Sequence, residues 1–248
     1  MAGRPSFRDR AVVIRTYDFG EADRVVVLLT RTHGLVRGVA KGVRRAKSRF
    51  GSRLQPFVHL DVNLYRGGSL ATIAEADTVA YYGAGIIEEY DRYTAASVVL
   101  ETAERLAYVA AEGDPGLFER VTEALERMQT TTHPTLVLDQ FALQAMGAAG
   151  WAPQLFDCAQ CGRRGPHHAF HPAVGGAACH ECRPSGSAEV EEESLHLMWL
   201  LAHGHDDDAR AIAEATPYLE SEAHRLTMAH LQWHLESKIT SLKVMDQR

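Results

Sequence analysis

The chain has 248 residues, 46% of them hydrophobic, with a formal net charge of -6, enough to bury one large core or two modest ones. Apolar runs such as Val25 to Leu29 fall far short of the ~20 residues of a membrane-spanning helix, and MAGRPSFRDR at the start carries charge with no apolar segment behind it, so a soluble, untargeted protein is expected. The four cysteines all lie between positions 158 and 182, a local cluster rather than a framework of staples, which favours a reducing cytoplasm.

The charge is uneven. Residues 1–53 hold 13 lysines and arginines against four acids, a balance of +9, and the remaining 195 residues carry -15. Such block asymmetry places a polyanion-binding surface at one end and a surface that repels polyanions over the rest.

In chain order, the first 80 residues read as strands separated by turns. RAVVIRTY (10–17), RVVVLLT (24–30) and LVRGVAKGV (35–43) are β-branched runs. In FVHLDVNLY (57–65) the alternation of Val58, Leu60, Val62 and Leu64 with His59, Asp61, Asn63 and Tyr65 is that of a half-buried strand. RGGS (66–69) turns into a fifth strand, LATIAEA (70–76). Five short strands, with Gly38 and Gly42 where a strand can bend, predict an OB-fold barrel, with a five-stranded SH3-like barrel as the competing arrangement.

Beyond residue 80 the period becomes helical. Helices are expected from Asp91 to Ala111, after the Asp114-Pro115 cap with Leu117, Val121, Leu125 and Met128 inward, and from Pro134 to Gly147 or Gly150. Two more follow, Ser194 to Ala202 and Pro217 to about Met245, and Trp199 and Trp233 are expected in the helical core. The predicted class is therefore α+β and multidomain: a barrel over 1–80, and a helical domain over 81–248 interrupted by an insertion at about 156–184.

That insertion holds Cys158-x-x-Cys161 and Cys179-x-x-Cys182, separated by 17 residues, the spacing of a closed, structural zinc site in which two thiolate pairs complete a tetrahedron. One zinc ion per chain is expected. His167, His168, His171 and His180 are nearby donors, but four thiolates suffice.

The segment GVAKGVRRAKSRFGSRLQPF (38–57) concentrates Lys41, Arg44, Arg45, Lys47, Arg49 and Arg53 with no acid among them. Such a run, with Phe50 placed where a base can stack unless it packs in the barrel core, and Arg37 on the preceding strand, predicts nucleic-acid binding rather than a solvated loop. No catalytic residues are assigned, since phosphate-loop, nucleophile-elbow and zinc-protease motifs are missing. His203, His205 and Asp206, Asp207 and Asp208 are the one His/carboxylate cluster outside the cysteine region. They make a metal-dependent nucleic-acid hydrolase one alternative, and an RNA- or tRNA-binding OB module is the other.

The basic segment leading through LQPF into LDVNLYRGGSLATIAEA, with CAQCG and CHEC inside a helical remainder, resembles the bacterial recombination mediator RecO over essentially the whole chain. The resemblance implies an N-terminal OB-fold, a helical C-terminal domain with a zinc-binding insertion, and no enzymatic turnover. It implies binding to single- and double-stranded DNA and annealing of complementary strands. It also implies partnership with RecR, contact with the C-terminal tail of single-strand-binding protein (SSB), and indirect action on RecA in loading it onto SSB-coated DNA, in a nucleoid-associated cytoplasmic setting. An SSB-tail pocket would need local cations in the acidic domain, and Arg92, Arg105, Arg120 and Arg127 are candidates.

Overall fold

A computed structural model describes residues 5–109 and 114–245, so the expected helix end at 110–111 lies outside the described residues. Strand β1 (Ser6–Phe19) pairs antiparallel with β2 (Asp23–Thr30) and with β4 (Val58–Tyr65). Strand β3 (Gly34–Ala40) is antiparallel to β2 and parallel to β5 (Ala71–Tyr81), and β5 closes on β4. The result is a closed barrel of order β1-β2-β3-β5-β4, an OB-fold rather than the SH3-like arrangement. The alternation in β4 holds residue by residue: Val58, Leu60, Val62 and Leu64 are buried with Leu28 and Ile73.

Two glycines allow the closure. A Cβ on Gly38 would lie 2.8 Å from the Ile73 side chain, so the parallel pairing of β3 with β5 leaves no room for a side chain there. Gly42 has φ +67° and turns the chain out of β3. In β1 a bulge at Ile14, between Val13 and Arg15 in the register with β2, turns Arg15 and Tyr17 outward while Ile14 stays buried.

Helices α1 (Gly83–Ile87), α2 (Tyr90–Val109) and α3 (Pro115–Met128) follow. Asp114 caps α3 by accepting a 2.9 Å bond from the Gly116 N–H, with Pro115 in the first turn, a cap worth ~1 kcal/mol. Leu117, Val121, Leu125 and Met128 are buried, as the spacing requires.

The compact units do not divide where strand gives way to helix. One comprises Met1–Thr130 with Val244–Arg248, the other Thr131–Lys243. The reason is visible in the first unit, where α2 and α3 pack on the barrel: Arg15 forks onto Glu104, Arg31 meets Glu119 at 2.7 Å, and His59 lies edge-on to Phe118.

The second unit packs α4 (Pro134–Ala148), α5 (Glu192–Ala202) and α7 (Pro217–His234) together, with α6 (Asp206–Ala215) beside them. Between α4 and α5 the chain forms a small sheet of order β7-β6-β8 from β6 (Ala169–His171), β7 (Gly176–Ala177) and β8 (Ala188–Glu189). The helix expected from Pro217 to Met245 is broken. It ends at His234, Glu236 takes a left-handed φ of 50°, and α8 (Thr240–Met245) starts afresh, which lets Ile239 turn into the core. Trp233, expected inside, is 54% exposed on α7, and Trp199 is only partly buried.

Candidate nucleic-acid interface and metal centre

The segment between β3 and β4, residues 41–57, is irregular but well anchored. Phe50 and Leu54 are buried in the barrel core at 2% and 1% exposure and cap its open end. The loop base is pinned by the Gly42 N–H to Asp23 (2.7 Å) and the Arg44 N–H to the Ala22 carbonyl (3.0 Å). Arg53 reaches back to the carbonyl of Ala76 at 3.4 Å. A loop tied at both ends and by two apolar plugs holds its cations in place without internal secondary structure.

This anchoring corrects two expectations. Phe50 cannot stack on a base, because its ring fills the barrel end and Arg49 covers its remaining face with Cζ 4.8 Å from the ring centroid. Nor is the loop without an acid: folding brings Asp18, from the end of β1, to 3.4 Å from Arg44. That pair is exposed on both sides and adds ~0–1 kcal/mol, so it leaves Arg44 able to turn to a phosphate. Lys41, Arg45 and Lys47 are exposed and have no ion-pair partner among the described residues. Arg37, on β3, donates to the Tyr108 hydroxyl with Cζ 5.8 Å from that ring, an aromatic neighbour supplied by α2.

The four cysteines converge. Cys158, Cys161, Cys179 and Cys182 bring their sulfurs within 4.8 Å of one another, the sole set of three or more metal-donor residues so gathered among the described residues. The turn at Cys158 is closed by its N–H to the Arg163 carbonyl and by the Gly162 N–H to the Cys158 carbonyl, both 2.8 Å. The turn at Cys179 is closed by the N–H groups of Cys182 and Arg183 on the Cys179 carbonyl. A tetrahedron with metal–sulfur bonds of about 2.3 Å has edges of about 3.8 Å, and Cys161 and Cys179 stand 3.8 Å apart.

The electrostatics agree with a cation site. Burial would raise the Cys158 thiol, but N–H donors from Cys179, Cys161 and Gln160 bring it down to about 6. Cys182 is pushed up to about 12, first by hydrogen bonds with the Cys179 and Cys161 thiols. The thiols thus share protons through hydrogen bonds with one another, and a divalent cation would take the place of those protons. Arg163 and Glu181 bridge the two turns at 2.8 Å. None of the nearby histidines joins the set: His167 bonds the Arg163 carbonyl at 2.8 Å, and His171 accepts from the Ala173 N–H.

The His203 to Asp208 cluster does not gather into a metal site among the described residues. His203 bonds the Trp199 carbonyl, His205 stacks on Trp199 with centroids 5.3 Å apart, and the three aspartates occupy the first turn of α6, where the helix dipole favours them. Of the four arginines considered for an acidic tail, Arg92 bonds the Gly85 and Gln129 carbonyls, Arg105 meets Glu101 at 2.6 Å, and Arg120 meets Asp114 at 3.4 Å.

A group of exposed aromatic residues carries no signal in the sequence. Tyr17, Tyr81, Tyr93 and Tyr108 are all substantially exposed, and three of them line a groove with a volume of about 770 Å³ between β1, residues 55–57 and α2. They come from positions up to 91 residues apart (Tyr17 to Tyr108), so no local pattern announces them.

An OB barrel carrying an anchored cationic loop, followed by helices interrupted by a four-thiol knuckle, defines a nucleic-acid-binding protein with a candidate metal centre. Residues 1–82 match the family model described as Recombination protein O N terminal, and residues 87–243 match Recombination protein O C terminal. The chain therefore belongs to the recombination protein O family and has the DNA-binding, mediator role in recombination and repair that defines it. No described helix is long and apolar enough to cross a membrane.

Proposed function

We propose that the protein binds single- and double-stranded DNA through the barrel, anneals complementary strands, and acts with RecR to load RecA onto SSB-coated single strands. The observation that carries this is the loop at 41–57. Lys41, Arg45 and Lys47 are exposed on a loop fixed by Phe50 and Leu54, with Arg44, Arg49 and Arg53 in the same loop and Arg37 on the preceding strand. Cations held on a rigid base neutralise phosphates of two strands at once, and backbone contacts leave the base edges free to pair.

In this reading the barrel, residues 1–80, serves DNA, and residues 81–248 serve RecR and the SSB tail. The negative balance of the chain after residue 53 confines the DNA track to one end. Zinc, held by Cys158, Cys161, Cys179 and Cys182, supplies the charge that keeps both knuckle turns closed and orders residues 156–184. The test is the rate at which complementary oligonucleotides coated with the cognate SSB anneal. The protein should accelerate it, and Arg45→Glu with Lys47→Glu should abolish the acceleration. Acceleration unchanged in that variant would refute the assignment of DNA to the loop.

A further inference from the structure

We propose that the tyrosine-lined groove between β1, residues 55–57 and α2 receives unstacked bases of single-stranded DNA, which stack on Tyr93 and Tyr108 while the basic loop holds the backbone. This rests on the DNA-binding reading above and adds to it a base-stacking site that discriminates single strands from duplex.

Position is the first ground. Gln55, Pro56 and Phe57 are the last residues of the cationic segment and also a wall of the groove, so the groove begins where that segment ends in the chain. Phe57 is buried and meets Tyr93 edge-on at 5.9 Å, which fixes the Tyr93 ring while leaving it 45% exposed. Tyr108 is 55% exposed, with Arg37 over its ring and bonded to its hydroxyl. Arg15 lies 5.6 Å from the centroid of Tyr17, beside the same mouth. Exposed rings alternating with guanidinium groups form the kind of platform on which bases stack irrespective of sequence.

Charge is the second ground. The arginines inside the groove are already matched: Arg15 forks onto Glu104 at 2.8 and 2.9 Å, and Arg105 meets Glu101 at 2.6 Å. The interior is therefore close to neutral, suited to the uncharged faces of bases and poorly suited to an acidic peptide, which would face two carboxylates with their cations committed. The volume, about 770 Å³, falls in the range of ~300–1,000 Å³ typical of small-molecule sites, enough for a base. A paired base cannot enter such a groove without leaving its stack, so duplex gains nothing there.

The test uses the full chain with Tyr93→Leu, Tyr108→Leu and Tyr108→Phe, each checked for an unchanged unfolding midpoint, and measures affinity for an oligo(dT) strand and for a duplex at several salt concentrations. Base–aromatic stacking is worth ~1–3 kcal/mol per base, so each leucine variant should bind oligo(dT) roughly 5- to 150-fold more weakly. Duplex affinity and salt slope should not change in Tyr93→Leu, whose ring contacts no cation of the loop, and Tyr108→Phe, which keeps the ring but frees Arg37, should bind oligo(dT) more tightly than Tyr108→Leu. Single-strand affinity unchanged in both leucine variants, while Arg45→Glu with Lys47→Glu weakens it, would overturn the groove proposal and leave the loop assignment standing. Loss of binding to an acidic, apolar peptide in place of oligo(dT) would overturn it in favour of a peptide site. Insensitivity of DNA binding to every one of these variants would overturn both readings.

Discussion

Phe50 sits in the middle of the most basic stretch of the chain, yet its ring is 2% exposed in the barrel core beside Leu28, Leu60 and Leu64. Truncation to alanine should cost about 3–5 kcal/mol, the usual range for a buried phenylalanine, because a closed barrel end has little freedom to collapse into the void. Phe50→Leu keeps most of the volume and should cost less than about 1.5 kcal/mol. Leu54, the Gly42 bond to Asp23 and the Arg44 bond to Ala22 still hold the loop in the leucine variant, so its cations remain in place. All three tryptophans lie in the other unit. The assay is therefore urea unfolding followed by far-ultraviolet circular dichroism, with hydrogen exchange at barrel amides to locate the change. Oligonucleotide affinity of Phe50→Leu should stay within about twofold of the parent at every salt concentration, since phosphate contacts govern it. A fivefold or greater loss of single-strand affinity in Phe50→Leu, with stability intact, would show that the ring meets bases after all.

If about six single-strand phosphates are neutralised, log K against log salt should have a slope near -4; reversing Arg44, Arg45 and Lys47 to glutamate should flatten it for all sequences alike, and an unaltered slope would place the DNA elsewhere. If the four thiols hold zinc as proposed, the purified parent should carry one zinc per chain and Cys161→Ser none, with residues 156–184 opened to protease while the barrel stays folded; metal-free protein from a chelator-free purification would contradict the zinc proposal. His230 is buried on α7, bonds the Trp151 carbonyl at 2.9 Å, and is held by burial down to about 4. Its folded state resists protonation, so the stability from the neutral ring is complete above the unfolded value near 6.5 and is lost as pH falls toward 4, by up to about 3 kcal/mol. Tryptophan-detected unfolding should show that loss in the parent and a smaller one in His230→Gln; equal pH profiles would refute it.

The parts of this molecule legible in the sequence are those encoded over short distances. Strand β4 alternates because a pleat has period two, the Asp114-Pro115 start of α3 is a cap written in adjacent residues, and each C-x-x-C turn brings its own two sulfurs together locally, while contacts between the turns, such as Arg163 to Glu181, gather all four. The cationic loop is likewise a property of consecutive residues. Tertiary structure decided what depends on partners far along the chain. An irregular loop has no period, so nothing local shows that Phe50 points inward when its neighbours point out. Asp18 reaches Arg44 only because the β1–β2 hairpin folds beside the loop. The break after His234 uses a glutamate in a left-handed turn, a position where glycine is the usual signal. The groove is the fullest case: a bulge in β1 turns Arg15 and Tyr17 outward, residues 55–57 close one wall, and α2 supplies Tyr93 and Tyr108 only once it has packed against the barrel. Residues that never neighbour one another in sequence acquire a shared surface through packing, and packing is a property of the whole chain.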